Sequence, residues 1–420
     1  MTVTRLDVRE ASTHMLAGLE PLAAEEIPLA HALGRVLARD VVSPVSLPPW
    51  DNASMDGFAV RASDARGASP LSPVRLRVME TIAAGRHATR AVAAGEAARI
   101  MTGAPIPAGA DSVVRVEDTD AGTSEVMIRD DRDVTRNIRQ RGEDVRAGAV
   151  VMRAGTLIAP AHVGVLSSVG CAKPTVYRRP RVAVLATGDE LVPVEEFSRV
   201  LAGDRIVSSN SYALEAAVTA AGGEAVSLGI APDDRDGLAE RLRGARGCDM
   251  LLTSGGVSVG DFDYTREVVA ALGGTLSLWR VRMRPGAPIG FGTLFGLPWL
   301  GLPGNPVSSL VTFELFGRPL LRTLGGFRRP HRRTVPVTLD ESIQLGAPLT
   351  HFLRVMLSTG DDGALHARLT GAQSSGMLTS MSSADALLIV PPEPLQVPAG
   401  ATLRAMPLDG DPGGDERFPV

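Results

Sequence analysis

Cysteine is almost missing from this sequence: Cys171 and Cys248 stand alone among 420 residues, and no C-x-x-C pair exists. A disulfide framework and a cysteine-rich zinc site are therefore excluded. Lysine is rarer still, with Lys173 the single one among 43 basic residues, so arginine carries nearly all the positive charge. Aromatic residues make up 4% of the chain against 44% for all hydrophobic residues, so the cores must be built from Ala, Val, Leu and Ile. Positive charge is not in excess. The net charge of −4 argues against a general nucleic-acid or anionic-membrane binder, while leaving room for a local basic pocket. No run of about 18 apolar residues occurs, and the N-terminal MTVTRLDVREAS lacks the apolar core of a signal peptide. A cytoplasmic protein is expected, with neither membrane nor nucleic acid as partner. The seven histidines show no ligand spacing. No G-x-G-x-x-G follows the first strand of the parallel region, so a nicotinamide dinucleotide site is excluded.

What is present divides the chain by texture. Its length suits about two to four domains. Leu6, Val8, Met15, Leu16 and Leu19 predict a helix over 5–20, and Leu29, Leu33, Val36 and Leu37 a second over 27–38. The Pro-rich VVSPVSLPPWDN then reads as an extended crossing. From about 50 to 145 short strands and turns follow without helical periodicity, which predicts a small all-β module. A helix is expected at 160–168. From Arg181 apolar runs alternate with capped helical stretches, the mark of βαβ units and a parallel, doubly wound sheet. Beyond 327 the pattern returns to strands and suggests a terminal β-barrel. The domain reading is a helical or linker part at 1–45 and 146–178, whose N-terminal portion has to pack on another domain. An inserted β domain occupies 46–145, the doubly wound α/β domain 179–326 and the β-barrel 327–408. The tail at 409–420 reads as disordered.

In open parallel sheets the ligand crevice lies beyond the carboxyl ends of the strands. Three loops leave such ends: Thr187-Gly188-Asp189-Glu190, the run from Ser254 through Gly255, Gly256 and Ser258 to Asp261, and Gly301-Leu302-Pro303-Gly304-Asn305-Pro306. Glycines let backbone approach a ligand, and successive N–H groups before a helix favour an anion. Taken alone, Asn305 and Pro306 are adequately explained as an N-cap and a first helical residue. Arg280, Arg282 and Arg284 alternate with Val281 and Met283, which predicts three guanidiniums on one strand face. Such a row suits a ligand phosphate, which arginine binds bidentately, although a solvated edge strand would show the same spacing. Glu190 and Asp263 sit beside these anion-binding loops, and carboxylates next to phosphate imply a bridging hard cation, most simply Mg²⁺. Asp144 lies in RQRGEDV, where Arg136, Arg139 and Arg141 make a second basic patch.

Seven segments in order resemble the molybdopterin molybdenumtransferase family, the insertase of molybdenum cofactor, related to the C-terminal domain of gephyrin. They are DNASMDGFAVR (51–61), RIMTGAPIPAGADSVV (99–114), RGEDV (141–145), ATGDEL (186–191), SGGVSVGDFDYT (254–265), RPGAP (284–288) and GLPGNPVS (301–308). The resemblance implies an elongated four-domain subunit that forms a homodimer with a site shared between subunits. It implies that adenylylated molybdopterin and molybdate give molybdenum cofactor and AMP with Mg²⁺ assisting, and it implies contact with the molybdopterin adenylyltransferase. It assigns catalytic roles to Asp56, Thr102, Asp144, Glu190 and Asp263, and metal handling to Glu190, Asp233 and Asp263. Substrate binding falls to Ser254, Gly255, Gly256, Ser258, Arg280, Arg284, Pro303, Asn305, Pro306, Arg354 and Ser375. One departure stands out. The family often has Pro-Gly-Lys-Pro where this chain has Pro285-Gly286-Ala287-Pro288, and Arg282 is expected to make up the lost cation. The sister adenylyltransferase activity and a non-catalytic molybdopterin-binding scaffold remain as alternatives.

Overall fold

The structure is a computed structural model that describes residues 5–256, 262–360 and 363–408, without the side chains of residues 262–264, 266 and 277–279. Two compact units result. One comprises Met1–Arg39, Ala154–Pro160 and Lys173–Val420, the other Asp40–Arg153 and Ala161–Ala172.

The first unit is organised by a seven-stranded sheet in the order Arg5–Leu6, Thr275–Val281, Pro288–Leu294, Leu297–Leu302, Met250–Ser254, Arg181–Thr187 and Glu224–Ala231. Its last four strands pair in parallel, while Pro288–Leu294 runs antiparallel to both neighbours. The sheet is thus parallel where the apolar runs predict it and mixed toward the other edge. A short connection explains the antiparallel part: only Phe295 and Gly296 separate the Pro288–Leu294 and Leu297–Leu302 strands, too few for the crossover that a parallel pair needs. The run VAVLA of the Arg181–Thr187 strand is buried throughout because helices cover both faces. Val182 and Val184 join one apolar cluster and Ala183 and Leu185 the other, as the period of two requires. Each fully buried Val or Leu contributes about 1.5–3 kcal/mol, and truncating Leu252 or Leu300, both 0% exposed, would cost about 2–5 kcal/mol.

The N-terminal helix is shorter than expected, Val8–Leu16, because Asp7 caps it reciprocally with Glu10 and leaves Arg5–Leu6 free to pair with Arg280–Val281. Its buried Val8, Ala11 and Met15 belong to the core of the large sheet. The helix expected over 27–38 does not form. Only a 3₁₀ turn at Leu29–His31 is present, and Gly34 and Leu37 donate instead to the carbonyls of Ile158 and Thr156. Pro28 and these long-range bonds override a spacing that mimicked a helix face.

The strand expected to carry Arg280, Arg282 and Arg284 is split. Thr275–Val281 belongs to the large sheet, whereas Met283–Arg284 pairs with Thr350–His351 at the start of a second sheet. Burial still alternates, with Val281 and Met283 inside. Arg282 is the crossing point: its N–H donates to Leu6 O at 2.9 Å, and its carbonyl accepts from Thr350 N at 3.3 Å. The second sheet closes into a barrel. Thr350–Thr359, Leu365–Leu369, Val335–Leu339, Thr402–Pro407 and Ala386–Val390 follow in order, and the last pairs back with the first.

The other unit contains a five-stranded sheet in the order Ser112–Arg115, Gly57–Val60, Glu96–Ile100, Val74–Ile82 and Glu125–Ile128. Apolar clusters lie on both of its faces. Gly57 is required here, because a Cβ at this position would collide with the Val114 carbonyl across the ladder.

Candidate active site: two cavities and an acidic loop

The strands Arg181–Thr187, Met250–Ser254 and Leu297–Leu302 are neighbours and parallel, so their carboxyl ends open on one edge. The loops that leave them surround a cavity of about 500 Å³ lined by Glu190, Asp233, Ser254, Gly255, Gly256 and Asn305, among others. Gly255 and Gly256 have φ of +93° and +64°, a region L side chains rarely adopt. A Cβ on either would also crowd the Thr187 hydroxyl, at 2.8 and 3.2 Å. That Thr187 Oγ1 is buried without a hydrogen-bond partner, so the cavity wall holds an orphan polar atom for a ligand to satisfy. The Gly255 N–H is already committed to Leu302 O at 3.1 Å, which ties this loop to the third.

The acids are arranged by backbone bonds. Asp189 N–H donates to Asp233 Oδ2 at 3.3 Å, and Asp233 N–H to Asp189 Oδ1 at 3.0 Å. Glu190 and Asp233 both face the cavity. Asp263 opens the helix Phe262–Ala271, but its side chain lies outside the described residues, as does all of Ser258. Among the described residues no group of three or more His, Cys, Asp or Glu could hold a metal. Glu190 and Asp233 are the two described carboxylates in the wall of the glycine-loop cavity.

A second cavity, of about 830 Å³, lies against the barrel. Arg284, Pro303, Asn305, Arg354 and Ser375 all line it, so five of the predicted positions meet here. Arg354 comes from the Thr350–Thr359 strand and is 0% exposed. Its Nε donates to Ser380 Oγ and its Nη2 to Ser374 O, both at 3.1 Å. Its Nη1 is buried with no partner. Burial pushes this guanidinium below its ordinary pKa, yet arginine stays charged. A buried cation without a counterion is costly, and its free N–H group calls for an anion. Gln373 fixes the Arg354 backbone from both sides, with Oε1 accepting from Arg354 N at 2.8 Å and Nε2 donating to Arg354 O at 3.1 Å. His351 also lines this cavity, with Nε2 3.1 Å from Ala347 O. Burial, aided by the Arg284 charge, lowers its pKa and keeps it neutral near pH 7.

Asn305 lines both cavities. It occupies the N-cap position of Pro306–Thr312, yet its side chain makes no capping hydrogen bond, so capping does not account for it. The loops are held together by Asn210, which the motifs did not single out. Its Nδ2 donates to Ser254 Oγ and to Gly304 O, both at 2.8 Å. Asn210, Gln373 and His351 were missed, and Thr187 was named only as part of its loop. Only Thr187 had a signal, as the first residue of a loop already suspected. Arg280 lines neither cavity, and nor does Arg282, whereas Ala287 does. Compensation for the missing lysine by Arg282 is therefore not supported, and the neighbouring cation is Arg284.

In the other unit, Thr102 donates to Asp56 Oδ1 through both its N–H and its hydroxyl, each at 2.7 Å. The hydroxyl bond, then the N–H, lowers the pKa of the exposed Asp56 carboxyl. Asp144 is exposed, in a turn anchored by its N–H to Leu47 O at 3.0 Å. Arg141 N–H donates to Asp51 Oδ1 at 2.7 Å, joining this turn to the loop before Asp56.

Comparison with known proteins places this geometry. Residues 183–323, which build the glycine-loop cavity, match the model described as a probable molybdopterin binding domain. The flanking parts match the MoeA N-terminal region (domain I and II) over 6–170 and the MoeA C-terminal region (domain IV) over 336–408. A relative named molybdopterin molybdenumtransferase 2, from Mycobacterium tuberculosis H37Rv, is 40% identical over 91% of this chain and 94% of its own. A molybdopterin molybdenumtransferase from Nostoc is 36% identical over 87% of this chain and 85% of its own. The crystal structure of a molybdopterin biosynthesis moeA protein from Pyrococcus horikoshii OT3 superposes with TM-score 0.82 at 30% identity, covering 96% of this chain and all of that one. The chain belongs to the molybdopterin molybdenumtransferase family.

Proposed function

We propose that this chain inserts molybdenum from molybdate into adenylylated molybdopterin and releases AMP, the last step of molybdenum cofactor biosynthesis. The observation that carries this reading is the buried, unpaired Nη1 of Arg354 in a carboxylate-poor cavity that meets the glycine-loop cavity at Asn305. The first suits a small oxyanion and the second a phosphate-bearing organic ligand. Arg354, Arg284 and Ser375 take the molybdate. Ser254, Gly255, Gly256, Ser258, Asn305 and Pro306 take the adenylylated molybdopterin, and Pro303 stands on the oxyanion side. Two unit charges about 4 Å apart repel by about 4 kcal/mol at an effective dielectric near 20, so bringing two anions together is the central difficulty. The arginines offset it on one side.

Glu190, Asp233 and Asp263 would hold Mg²⁺ on the other side. When bound it neutralises phosphate charge and polarises the adenylate. Asp56, kept ionised by Thr102, and Asp144 orient water for adenylate cleavage from the inserted β domain. We take the protein as a four-domain, cytoplasmic homodimer with the site shared between subunits. Contact with the molybdopterin adenylyltransferase fits a substrate that is itself an adenylate. The test is AMP release by purified protein given adenylylated molybdopterin, Mg²⁺ and molybdate. Normal ligand binding without molybdate-dependent AMP would leave only a scaffold.

A further inference from the structure

The larger cavity differs from ordinary phosphate sites in what it omits. Its described charged lining is Arg284 and Arg354, and its remaining polar lining is amides, hydroxyls and the imidazole of His351, with no Asp or Glu among the described lining residues. Near neutral pH, phosphate and arsenate carry a proton that must be donated to something when they are buried. Molybdate, tungstate, sulfate and selenate carry none and need only donors. A carboxylate in the wall would satisfy the first group and repel the second, because a buried donor without an acceptor costs about 1–3 kcal/mol. Two neutral acceptors beside Arg354 already take one hydrogen bond each. Ser374 O accepts from Arg354 Nη2, and Gln373 Oε1 from Arg354 N. Glu341, next in sequence to the lining residue Ser342, accepts at its Oε1 from Leu369 N–H at 2.9 Å.

We infer that this cavity is a filter for fully deprotonated tetrahedral oxyanions, which admits molybdate and rejects phosphate through the absence of a carboxylate acceptor around Arg354. The inference rests on the oxyanion site proposed above and adds its selectivity. It matters for function because phosphate is a small tetrahedral anion of the same shape.

The test separates the proton from size by comparing selenate with arsenate, using titration calorimetry on the full-length protein near neutral pH. Selenate should bind roughly tenfold or more tighter than arsenate, and molybdate should displace it. Gln344→Glu places a carboxylate on the exposed rim of the same cavity, and it should weaken selenate and narrow the gap. Equal binding of the two anions overturns the filter but leaves the site intact. An unchanged gap in Gln344→Glu overturns the assigned cause. If arsenate alone weakens in His351→Gln, the imidazole is accepting its proton and the filter falls. If neither anion binds, or both bind Arg354→Met as well as wild type, the oxyanion site itself falls.

Discussion

The two cavities share Asn305 and little else. One is formed by glycine loops at the ends of parallel strands and carries Glu190 and Asp233. The other leans on a barrel strand and carries Arg284 and Arg354, with no described carboxylate in its wall. Opposite charges have thus been sorted into adjacent rooms. The lesson is that a site which brings two anions together gains from keeping its carboxylates away from its arginines. Mixed together, they would pair with each other and leave neither ligand served.

The sharpest way to break this contrast is Arg354→Met. AMP release should fall roughly 100-fold, the scale seen when a positioned charge is removed. The melting temperature should stay level or rise, because replacing a buried unpaired charge with an apolar side chain of similar size removes a desolvation cost. Calorimetry with the AMP assay checks both, and a large loss of stability would mean the guanidinium is structural.

Glu190→Gln should strike the other cavity alone. We expect a fall of about 10–100-fold in AMP release, partly restored by excess Mg²⁺, with oxyanion binding unchanged. If oxyanion binding falls equally, the two cavities are not separable.

Asn210→Ala should loosen the first cavity through its loops. Two hydrogen bonds, to Ser254 and Gly304, are lost, worth about 1–3 kcal/mol. The expected readout is a KM for adenylylated molybdopterin roughly tenfold higher with kcat little changed.

The smallest effect belongs to Thr102→Val. Thr102 holds the Asp56 pKa below its ordinary value, its hydroxyl contributing most. A depressed carboxyl favours the charged form above the unfolded pKa, and that benefit is lost only as pH falls through the lower, folded value. Removing the hydroxyl raises the Asp56 pKa, so the acid limb of the kcat profile should move up in pH. Asp56→Asn should abolish AMP release at every pH without unfolding the protein.

These residues differ in how plainly the sequence displays them. The three glycine loops were legible because each interrupts an apolar run at a strand end, where the fold class puts ligands. Asp56 was singled out only by the family resemblance of DNASMDGFAVR, since by itself it reads as a polar turn entering a strand. Arg354 had only a weaker family match outside the seven motifs, and no visible burial. In THFLRVML it is one charge in an apolar strand, and only closure of the barrel seals it. Asn210 could not be found, since its partners lie 44 and 94 residues away. The missing helix at 27–38 shows the converse error. Leu29, Leu33, Val36 and Leu37 have helical spacing, but Val36 and Leu37 instead make isolated bridges to Leu157 and Val176. The row of arginines was read correctly as alternating and wrongly as one strand, because side chains keep alternating through the crossing at Arg282.

That crossing has a consequence for motion. Arg282 is a single peptide link with its donor spent on the large sheet and its acceptor on the barrel. It leaves no slack, so the two bodies cannot part without breaking a bond at that residue. The amide of Thr350 therefore works as a natural gauge. It sits in the barrel but is protected by the Arg282 carbonyl at the crossing, and its hydrogen-exchange rate reads out how often that bond breaks.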